Sequence, residues 1–497
     1  MKICVLAASA SNLATAGVRV RYRRIEGPLS ELGHELTVLP ITEFKRPQHF
    51  KHDVYIISKC YDARALVAAR LIAARGGALG VDLFDDYYSQ ISDSRLTWRR
   101  EWLTALLASA DFMLCSTPAM QAIAQRIAPN HPAHILNDPY ARLDRRAVAA
   151  ALARKLERLH QTRTLRLGWF GVGHNPYFSV GLADLAAFGG ELARLRTSRF
   201  DVRLEILTNR RAVTAEALAA LRRLALPFEL DEWSEEREAM LLERCTACFL
   251  PVNAQSFSVV KSLNRAVTAL TVGTQVLSAG YPLYESLGEF IYRDAGQLLA
   301  DLEDRRPLLR PETLESFAHL MESCASPSAE AYKLSAFLQQ FSHRPTTQMP
   351  ALAVVHGPYS KRDTHQFVQS MGGLSVASPF AKQHLPYDVR FILRPNGPGI
   401  DVLIASHKRR LLSPKFAAQL VPDSNFLDVP YHRLDLAKLG GDADWDTTLG
   451  RLRNPAAISA VLGDGMAFVE RALALLIPGI TCVRSLARRP AGEKDAA

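Results

Sequence analysis

Two cations and an amide side chain lie close together in VVKSLNRAVTALTVGTQVL, residues 259–277. The pattern predicts a helix that runs into a glycine turn and a strand. Residues three and four apart are neighbours on a helix, so Lys261, Asn264 and Arg265 would share one face near its first turn. The helix dipole disfavours cations at that end unless an anion lies against the free backbone amides. The stretch therefore indicates either a bound phosphate or a solvated basic face.

Two carboxylates follow a predicted strand in DLFDDYY, at the end where a substrate could meet them. Asp85 and Asp86 could accept a hydrogen bond from an acceptor hydroxyl or act as a general base, and capping of the next helix is the alternative for one of them. His174 follows a glycine loop in GWFGVGHNPYF and could donate to a phosphate, although a single histidine is more often structural. We predict Asp85, Asp86 and His174 as catalytic residues.

The bulk composition limits the class of protein. A chain of 497 residues, 48% hydrophobic and 22% charged, is globular and long enough for two or three domains. The net charge of +10 favours an anionic partner, such as acidic lipid headgroups or a phosphorylated small molecule. Basic residues do not form a block with interleaved aromatic residues, so the sequence does not predict a nucleic-acid partner.

Cysteine use and the length of the apolar runs predict the compartment. Seven cysteines without regular spacing favour the reduced cytoplasm. Cys245 and Cys248 form a lone CxxC between a predicted helix and a buried strand, which indicates core packing rather than zinc or redox chemistry. No apolar run reaches the roughly 20 residues of a membrane span, and MKICVLAAS is typical of a buried strand rather than a signal peptide. We therefore expect a cytoplasmic protein without metal or other cofactor, whose charge is compatible with peripheral association at an acidic membrane surface.

Alternating strands and helices divide the chain into three predicted domains. Short apolar strands alternate with helices through residues 1–160 and again through 161–344, which predicts two tandem doubly wound, Rossmann-like sheets, with AALARKLERLHQTRT as a linker helix. In 345–497, DVRFILRPNGPGIDVLIASHKRR is typical of an antiparallel hairpin around an Asn-Gly turn, so a smaller α+β domain of unknown role is predicted. The stretch HGPYSKRDTH, residues 356–365, is predicted to be a surface loop.

Several of these segments resemble the glycogen-synthase-like (group 1, family 4) glycosyltransferases of GT-B fold. ACFLPVNAQSFSVVKSLNRAVTALTVGTQVLSAGYPLYESLGEFI is similar to their donor-binding segment, and Gly273, Val276 and Ser278 fit its turn and strand. The family's glycine loop, long helix and following strand are resembled by TAGVRVRYRRIEGPLSELGHELTVL. Its AD-x-V-x-x-S segment is resembled by ADFMLCSTPAMQAIAQ, and its link between domains by HILNDPY. Taken in order, the resemblance covers about residues 1–343.

The resemblance implies an acceptor-side first domain and a second domain that binds a nucleotide-sugar donor as substrate. Together with the predicted strand ends, it places these residues beside the donor: Gly17, Arg19, Asn175, Asn209, Arg210, Trp233, Lys261, Asn264 and Arg265. A core position is the alternative for Trp233. Where the family carries two glutamates eight residues apart, this chain has Val260 and Thr268, and the arginine that usually follows the second domain's first strand is missing. Lys261 and Arg265 would then have to meet the charge of the diphosphate.

The resemblance thus implies a nucleotide-sugar-dependent glycosyltransferase, hexosyltransferase-like and retaining. It would transfer a sugar to a glycan or lipid-linked acceptor in surface or extracellular polysaccharide synthesis. Positioning and cationic stabilisation of the leaving diphosphate would carry catalysis without a metal. Two alternatives stay open: a sugar-nucleotide epimerase of GT-B fold, which needs acid and base carboxylates in the cleft but no acceptor, and a binding or scaffold protein that has lost the glutamates.

Overall fold

The computed structural model describes residues 1–45, 47–197, 200–341, 346, 351–358, 360–382, 384–396, 399–406, 420–423, 431–436, 449, 452, 458–477 and 479–485. Within these ranges the strands form three sheets, of six, six and seven strands. The first two sheets are parallel throughout, and the third is mixed. The predicted fold class, two tandem doubly wound Rossmann-like domains followed by a smaller α+β domain, is confirmed.

The first domain comprises β1 Lys2–Ala7, α1 Ala16–Arg19, α2 Arg23–Glu31, β2 Glu35–Pro40, β3 Val54–Ser58, α3 Ala63–Ala74, β4 Ala78–Leu83, α4 Thr97–Leu107, β5 Phe112–Cys115, α5 Pro118–Ile127 and β6 Ala133–Ile135. Its strand order is β2-β1-β3-β4-β5-β6. The central strands are continuous apolar runs, such as VYIIS in β3, because helices cover both faces of the sheet.

The second domain comprises α6 Arg145–Thr162, β7 Thr164–Gly171, α7 Leu182–Ala187, α8 Gly189–Arg194, β8 Asp201–Thr208, α9 Ala215–Leu221, β9 Phe228–Glu232, α10 Glu235–Arg244, β10 Ala247–Phe249, α11 Ser256–Val259, α12 Asn264–Leu270, β11 Gln275–Leu277, β12 Ile291–Tyr292, α13 Ala295–Glu303 and α14 Leu314–Ala325. Its strand order is β12-β11-β10-β7-β8-β9. The next helix, α15 Pro327–Leu338, leaves this domain.

Two helices lie against a different domain from the one that the sequence suggests. The predicted linker helix α6 packs into the second domain through Val148 and Leu152, and the ammonium of Lys155 donates to the hydroxyl of Thr274 at 2.6 Å. Helix α15, predicted to close the second domain, instead packs on the first, where Leu334 and Leu338 join its core. The chain therefore crosses between these two domains twice.

Two helices of these domains deserve note for their limits. Helix α2 continues through Pro28 with its buried face held in the first domain's core, and residues 20–22 separate it from α1. Helices α7 and α8 are separated by Phe188 alone, and α8 begins with Gly189 and Gly190. The start of α12 differs from the prediction and is described with the cleft below.

The third domain comprises β13 Ala351–His356, α16 Arg362–Ser370, β14 Leu374–Ala377, β15 Val389–Asn396, β16 Gly399–Ser406, β17 Leu420–Asp423, β18 Tyr431–Leu434, α17 Ile458–Leu476 and β19 Ile480–Ser485. The predicted hairpin is confirmed as the antiparallel pair β15 and β16, although its Gly397 lies outside the described residues. One buried cluster joins the α3 helix of the first domain to this domain, through Leu352, Val354, Phe367, Val368 and Val483.

The prediction of a surface loop over residues 356–365 is wrong for its two histidines. His356 ends β13 and His365 lies on α16, and both are fully buried with their ring centroids 3.8 Å apart. Asp363 between them is exposed. The prediction fails because the sequence pattern shows only that these residues are polar. In the fold, the polar side chains bond to one another inside the domain instead of facing solvent.

The two histidines and two serines form a closed ring of hydrogen bonds. Ser360 Oγ lies 2.5 Å from His356 Nδ1 and 3.3 Å from His365 Nε2, while Ser375 Oγ bonds to His365 Nδ1 and lies 2.9 Å from His356 Nε2. When both imidazoles are neutral, their two N–H groups and the two serine hydroxyls supply one proton to each of the four bonds. Burial lowers the pKa of His365 to about 4, although Asp388 opposes it, and burial and the neighbouring His365 hold the pKa of His356 well below its usual range.

We expect this ring to make the third domain less stable in acid. Because the unfolded histidines, with a pKa near 6.5, bind protons that the folded ones refuse, stability is complete above that pH and is lost as pH falls towards about 4. Thermal unfolding should show the His365→Asn variant losing less stability than wild type between pH 7.5 and 5. The exposed His384, changed to Asn, serves as the control. Identical slopes for wild type and His365→Asn would contradict the neutral ring.

Candidate functional site

A cleft of about 430 Å³ lies between the first two domains, at the carboxyl ends of their parallel strands. The strand order reverses between β1 and β3 in the first sheet and between β7 and β10 in the second. Open α/β sheets bind ligands in the crevice at such reversals. Loops that follow these strands supply part of the lining, namely Thr15, Lys59, Val172, His174 and Asn175, and helix α11 adds Phe257.

The helix predicted to carry Lys261 on its face begins later, at Asn264. The carbonyl of Val260 accepts hydrogen bonds from the hydroxyls of Ser116 at 3.2 Å and Thr117 at 3.1 Å, both from the first domain. These bonds take the place of the one that an intrahelical amide would make, so the helix cannot start there. Lys261 therefore lies in the loop ahead of α12, although it still lines the cleft.

Lys261 reaches across the cleft to the first domain. Its ammonium is ion-paired with Asp85, which follows β4, and lies 3.8 Å from the ring centroid of Phe257. A second ammonium, that of Lys59 after β3, lies 3.3 Å from the other carboxylate oxygen. The buried carboxylate of Asp85 is thus held between two lysines, one from each domain.

The two lysines determine the acidity of Asp85. Burial raises the pKa of its carboxyl, but the ammonium groups of Lys261 and Lys59 together outweigh burial and hold that pKa well below its usual range. A carboxyl this acidic is a poor proton acceptor near neutral pH. The geometry therefore favours an electrostatic role for Asp85 over that of a general base.

Arg265 lies in the first turn of α12 and lines the cleft beside Gly171, the last residue of β7. A Cβ at Gly171 would lie 3.3 Å from Arg265 Nη1, so the guanidinium comes close to the strand end. It has no ion pair or hydrogen bond with any residue that the structure describes. Asn264 also lines the cleft, but its amide donates to Asp138 at 3.2 Å.

Three predicted site residues lie outside the cleft lining. Asp86 is buried and accepts hydrogen bonds from the amides of Tyr88 at 3.0 Å and Ser89 at 2.9 Å, so it stabilises a turn instead of facing a substrate. Arg210 is exposed in a short turn after β8. Gly17 is buried within α1. The roles predicted for Asp86, Arg210 and Gly17 at a ligand therefore stay predictions.

Polar residues of the second domain fix the loop that follows β7. His174 is exposed and lines the cleft. Asn175 donates to the hydroxyl of Tyr87 in the first domain at 3.1 Å, and Asn209 accepts a hydrogen bond from the amide of Gly173 at 2.8 Å. Both asparagines line the cleft, and both hold this loop beside it.

Arg19 and Trp233 make another contact between the two domains. The Arg19 guanidinium lies 5.5 Å from the Trp233 ring centroid and 3.2 Å from the carboxylate of Glu235. The indole donates to Glu238 at 2.6 Å. Trp233 packs on the core of the second domain and also lines the cleft, so the core and cleft interpretations of this residue both apply.

A buried ion-pair network connects with the cleft and was not predicted. Arg21 is fully buried, 3.2 Å from the carboxylates of both Asp82 and Asp138. Asp138 also accepts a hydrogen bond from the hydroxyl of Ser262 in the second domain at 2.6 Å. The repeated arginines of GVRVRYRR are the visible signal, but their carboxylate partners lie far along the chain.

The two positions that replace the expected glutamates have different surroundings. Thr268 lines the cleft. Val260 is fully buried and joins the hydrophobic cluster of the first domain. A glutamate side chain at position 260 would therefore have to leave an apolar contact before it could face a ligand.

Neither the protein-family models nor the curated proteins give a match to this sequence. Solved structures do match. Sucrose-phosphate synthase from Thermosynechococcus elongatus is similar at a TM-score of 0.50 and 12% sequence identity, over 68% of this chain and 98% of that one. The chain has the GT-B fold.

Two other solved structures are similar to this GT-B chain at lower scores. One is HepE from Anabaena in complex with UDP and glucose, with a TM-score of 0.48 and 13% identity, covering 68% of this chain and 100% of that one. The other is a UDP-forming α,α-trehalose-phosphate synthase from Burkholderia xenovorans, with a TM-score of 0.44 and 10% identity. The match covers 68% of this chain and 99% of that one.

Neither a metal-binding cluster nor a membrane-spanning helix occurs in the described part of the GT-B chain. No three His, Cys, Asp or Glu side chains come together there in an arrangement that could hold a metal ion. Across the same ranges, no helix combines the length and apolar character needed to cross a membrane. Cys245 and Cys248 are buried in the second domain's core, as predicted, and burial raises the pKa of the Cys248 thiol to about 12.

We expect Asp86→Ala to destabilise the protein without weakening ligand binding in the cleft. The substitution leaves the amides of Tyr88 and Ser89 without their acceptor, which costs about 1–3 kcal/mol of unfolding free energy. Urea denaturation measures the loss, and calorimetry with UDP measures binding. Normal stability combined with a tenfold or greater loss of UDP affinity would return Asp86 to the site.

Proposed function

We propose that this protein is a glycosyltransferase that uses a nucleotide-sugar donor. The observation that carries the proposal is Arg265, a cation without an ion pair or hydrogen bond among the described residues, at the strand reversal in a GT-B cleft. A guanidinium matches two phosphate oxygens at once, and Lys261 adds a second positive charge from the same domain. The sucrose-phosphate synthase of the same fold makes, by its name, a phosphorylated sugar.

The chemistry that these residues supply is stabilisation of the leaving group. When the bond between the sugar and the diphosphate breaks, negative charge builds up on the diphosphate oxygen. In this proposal Arg265 and Lys261 lie beside that charge, where preorganised cations stabilise it. Asp85 holds the Lys261 ammonium at the domain boundary.

Aromatic side chains offer a surface for a sugar acceptor. Tyr87 of the first domain lies 5.3 Å, between ring centroids, from Phe257 of the second, and both line the cleft. The apolar faces of sugar rings can pack on such rings while polar groups fix the orientation. A glycan or lipid-linked acceptor, polysaccharide synthesis and retention of the anomeric configuration belong to the proposal, as does work at an acidic membrane surface.

We expect Arg265→Ala to weaken UDP binding by about ten- to hundredfold. A charge-assisted hydrogen bond contributes roughly 1.5–3 kcal/mol, and about 1.4 kcal/mol corresponds to a factor of ten. Uridine, which lacks the phosphates, should lose much less affinity. Lys261→Ala should act in the same direction, and the double variant should be non-additive because both cations serve one ligand group. Isothermal titration calorimetry with UDP, GDP and uridine measures these values.

The matched control is Arg210→Ala, which removes an exposed arginine of the same domain outside the cleft. Its UDP affinity should equal that of wild type. Unchanged UDP affinity in Arg265→Ala, with normal thermal unfolding, would remove the anion site on which the proposal depends. If the wild-type protein binds neither UDP nor GDP, the binding or scaffold alternative is favoured instead.

We expect slow release of nucleoside diphosphate when the protein is given a matching nucleotide hexose without acceptor. Water then replaces the acceptor hydroxyl, and proton NMR of the newly released sugar shows whether the anomeric configuration is retained. A panel of UDP- and GDP-hexoses identifies the donor. An isomerised sugar nucleotide without release of diphosphate would favour the epimerase alternative, and the Arg265→Ala variant controls for contaminating activity.

A further inference from the structure

Lys59 has an unusual backbone at the strand reversal of the first sheet. It follows β3 directly and has a φ of 55°, in the left-handed region that side chains other than glycine rarely adopt. Two other described residues besides glycine share a positive φ, Arg163 and Arg305, but each follows the end of a helix, where this conformation is a common cap. At Lys59 no helix end explains it.

The left-handed turn accompanies a lysine side chain directed into the cleft. Its ammonium lies 3.9 Å from the ring centroid of Phe84 and 3.3 Å from the Asp85 carboxylate. A Cβ at Gly17 would lie 3.3 Å from Lys59 Cε, so the absence of a side chain there leaves space for the lysine stem. Lys59 lines the same cleft as Lys261.

The charges that line the cleft do not balance. Its lining carries five positive charges against three negative charges, which leaves a surplus of two: Arg19, Arg24, Lys59, Lys261 and Arg265 against Asp85, Asp184 and Glu238. Asp184 accepts from the amide of Gly181 at 2.9 Å and interacts electrostatically with Arg265, while Glu238 accepts from Trp233. Like charges held this close repel each other unless an anion joins them.

We infer that Lys59 binds the diphosphate of the donor from the first domain, and that Asp85 positions Lys59 and Lys261 on either side of it. The inference rests on the proposed function and names a residue of the acceptor-side domain as part of the donor site. The surplus of two positive charges matches the charge of a diphosphate diester. Because the ligand contacts cations from both domains, binding it also draws the two domains together.

A strained backbone at Lys59 is what a binding role implies. Strain persists in folded proteins where the side chain that it presents is needed and the surrounding structure fixes it. Glycine adopts a positive φ without steric cost, so Lys59→Gly relieves the backbone while it removes the ammonium. The same change takes one compensating cation from Asp85, so the affinity for the diphosphate, and not the stability, tests the binding role.

The decisive variant is Lys59→Gly. If Lys59 binds the diphosphate, this change should weaken UDP binding by about ten- to thirtyfold. Uridine affinity should stay the same, and the salt dependence of UDP binding should become shallower because one cation is lost. Lys59→Asn, which tolerates the same backbone conformation, repeats the test without adding flexibility.

Arg305→Gly is the matched control. Arg305 has a φ of 57° but lies outside the cleft, so its replacement relieves the same kind of strain without removing a cation from the site. Its UDP affinity should not change. This comparison separates the effect of a glycine from the effect of the lost ammonium.

The outcomes distinguish this inference from the proposed function. If wild type binds UDP and Arg265→Ala weakens it, but Lys59→Gly and Lys59→Asn keep wild-type UDP affinity, the inference is overturned while the proposed function stands. An equal loss of UDP and uridine affinity in both Lys59 variants also overturns it, because that result shows a structural role. If wild type itself fails to bind UDP, the proposed function fails first.

Discussion

The carboxylate of Asp85, buried between Lys59 and Lys261, joins the two Rossmann-like domains at the point where their strand ends meet. Burying one carboxylate is costly unless cations compensate it, and here the two cations come from different domains. The domains must therefore stay close for the charge to be paired. The same arrangement leaves positive charge in excess, since Arg265 lies nearby without an ion pair or hydrogen bond in the described ranges.

Several other contacts across the cleft are also polar. Arg19 pairs with Glu235, and Asp138 accepts from Ser262 at 2.6 Å, so each domain supplies charged or hydroxyl groups to the other. Apolar contacts cross the boundary as well: Val260 of the second domain is buried in the first domain's cluster, and the ring centroids of Tyr87 and Phe257 lie 5.3 Å apart. Polar and apolar contacts together therefore join the two domains.

The sequence predicted the sheets well because buried parallel strands appear as short apolar runs between helices. It also placed Lys261 and Arg265 at a cleft, since cations are conspicuous at a strand-to-helix junction. It could not place the start of α12, because the hydroxyls of Ser116 and Thr117, over a hundred residues away, bind the carbonyl of Val260 and stop the helix. Contacts between residues so far apart in the chain leave no local pattern in the sequence. For the same reason, the polar residues from 356 to 365 suggested a surface loop, although two of them are buried histidines.

The third domain supports the site without lining the cleft. Helix α3 begins at Ala63, directly after the loop that carries Lys59, and its outer face is covered by Leu352, Val354 and Phe367 of the third domain. A left-handed residue keeps its conformation only when its flanking elements are fixed. At Lys59 these elements are β3, paired on both sides within the first sheet, and α3, packed between the sheet and the third domain. The strain at the cleft is therefore held by apolar burial on the far side of α3, which connects the third domain to the site through one helix.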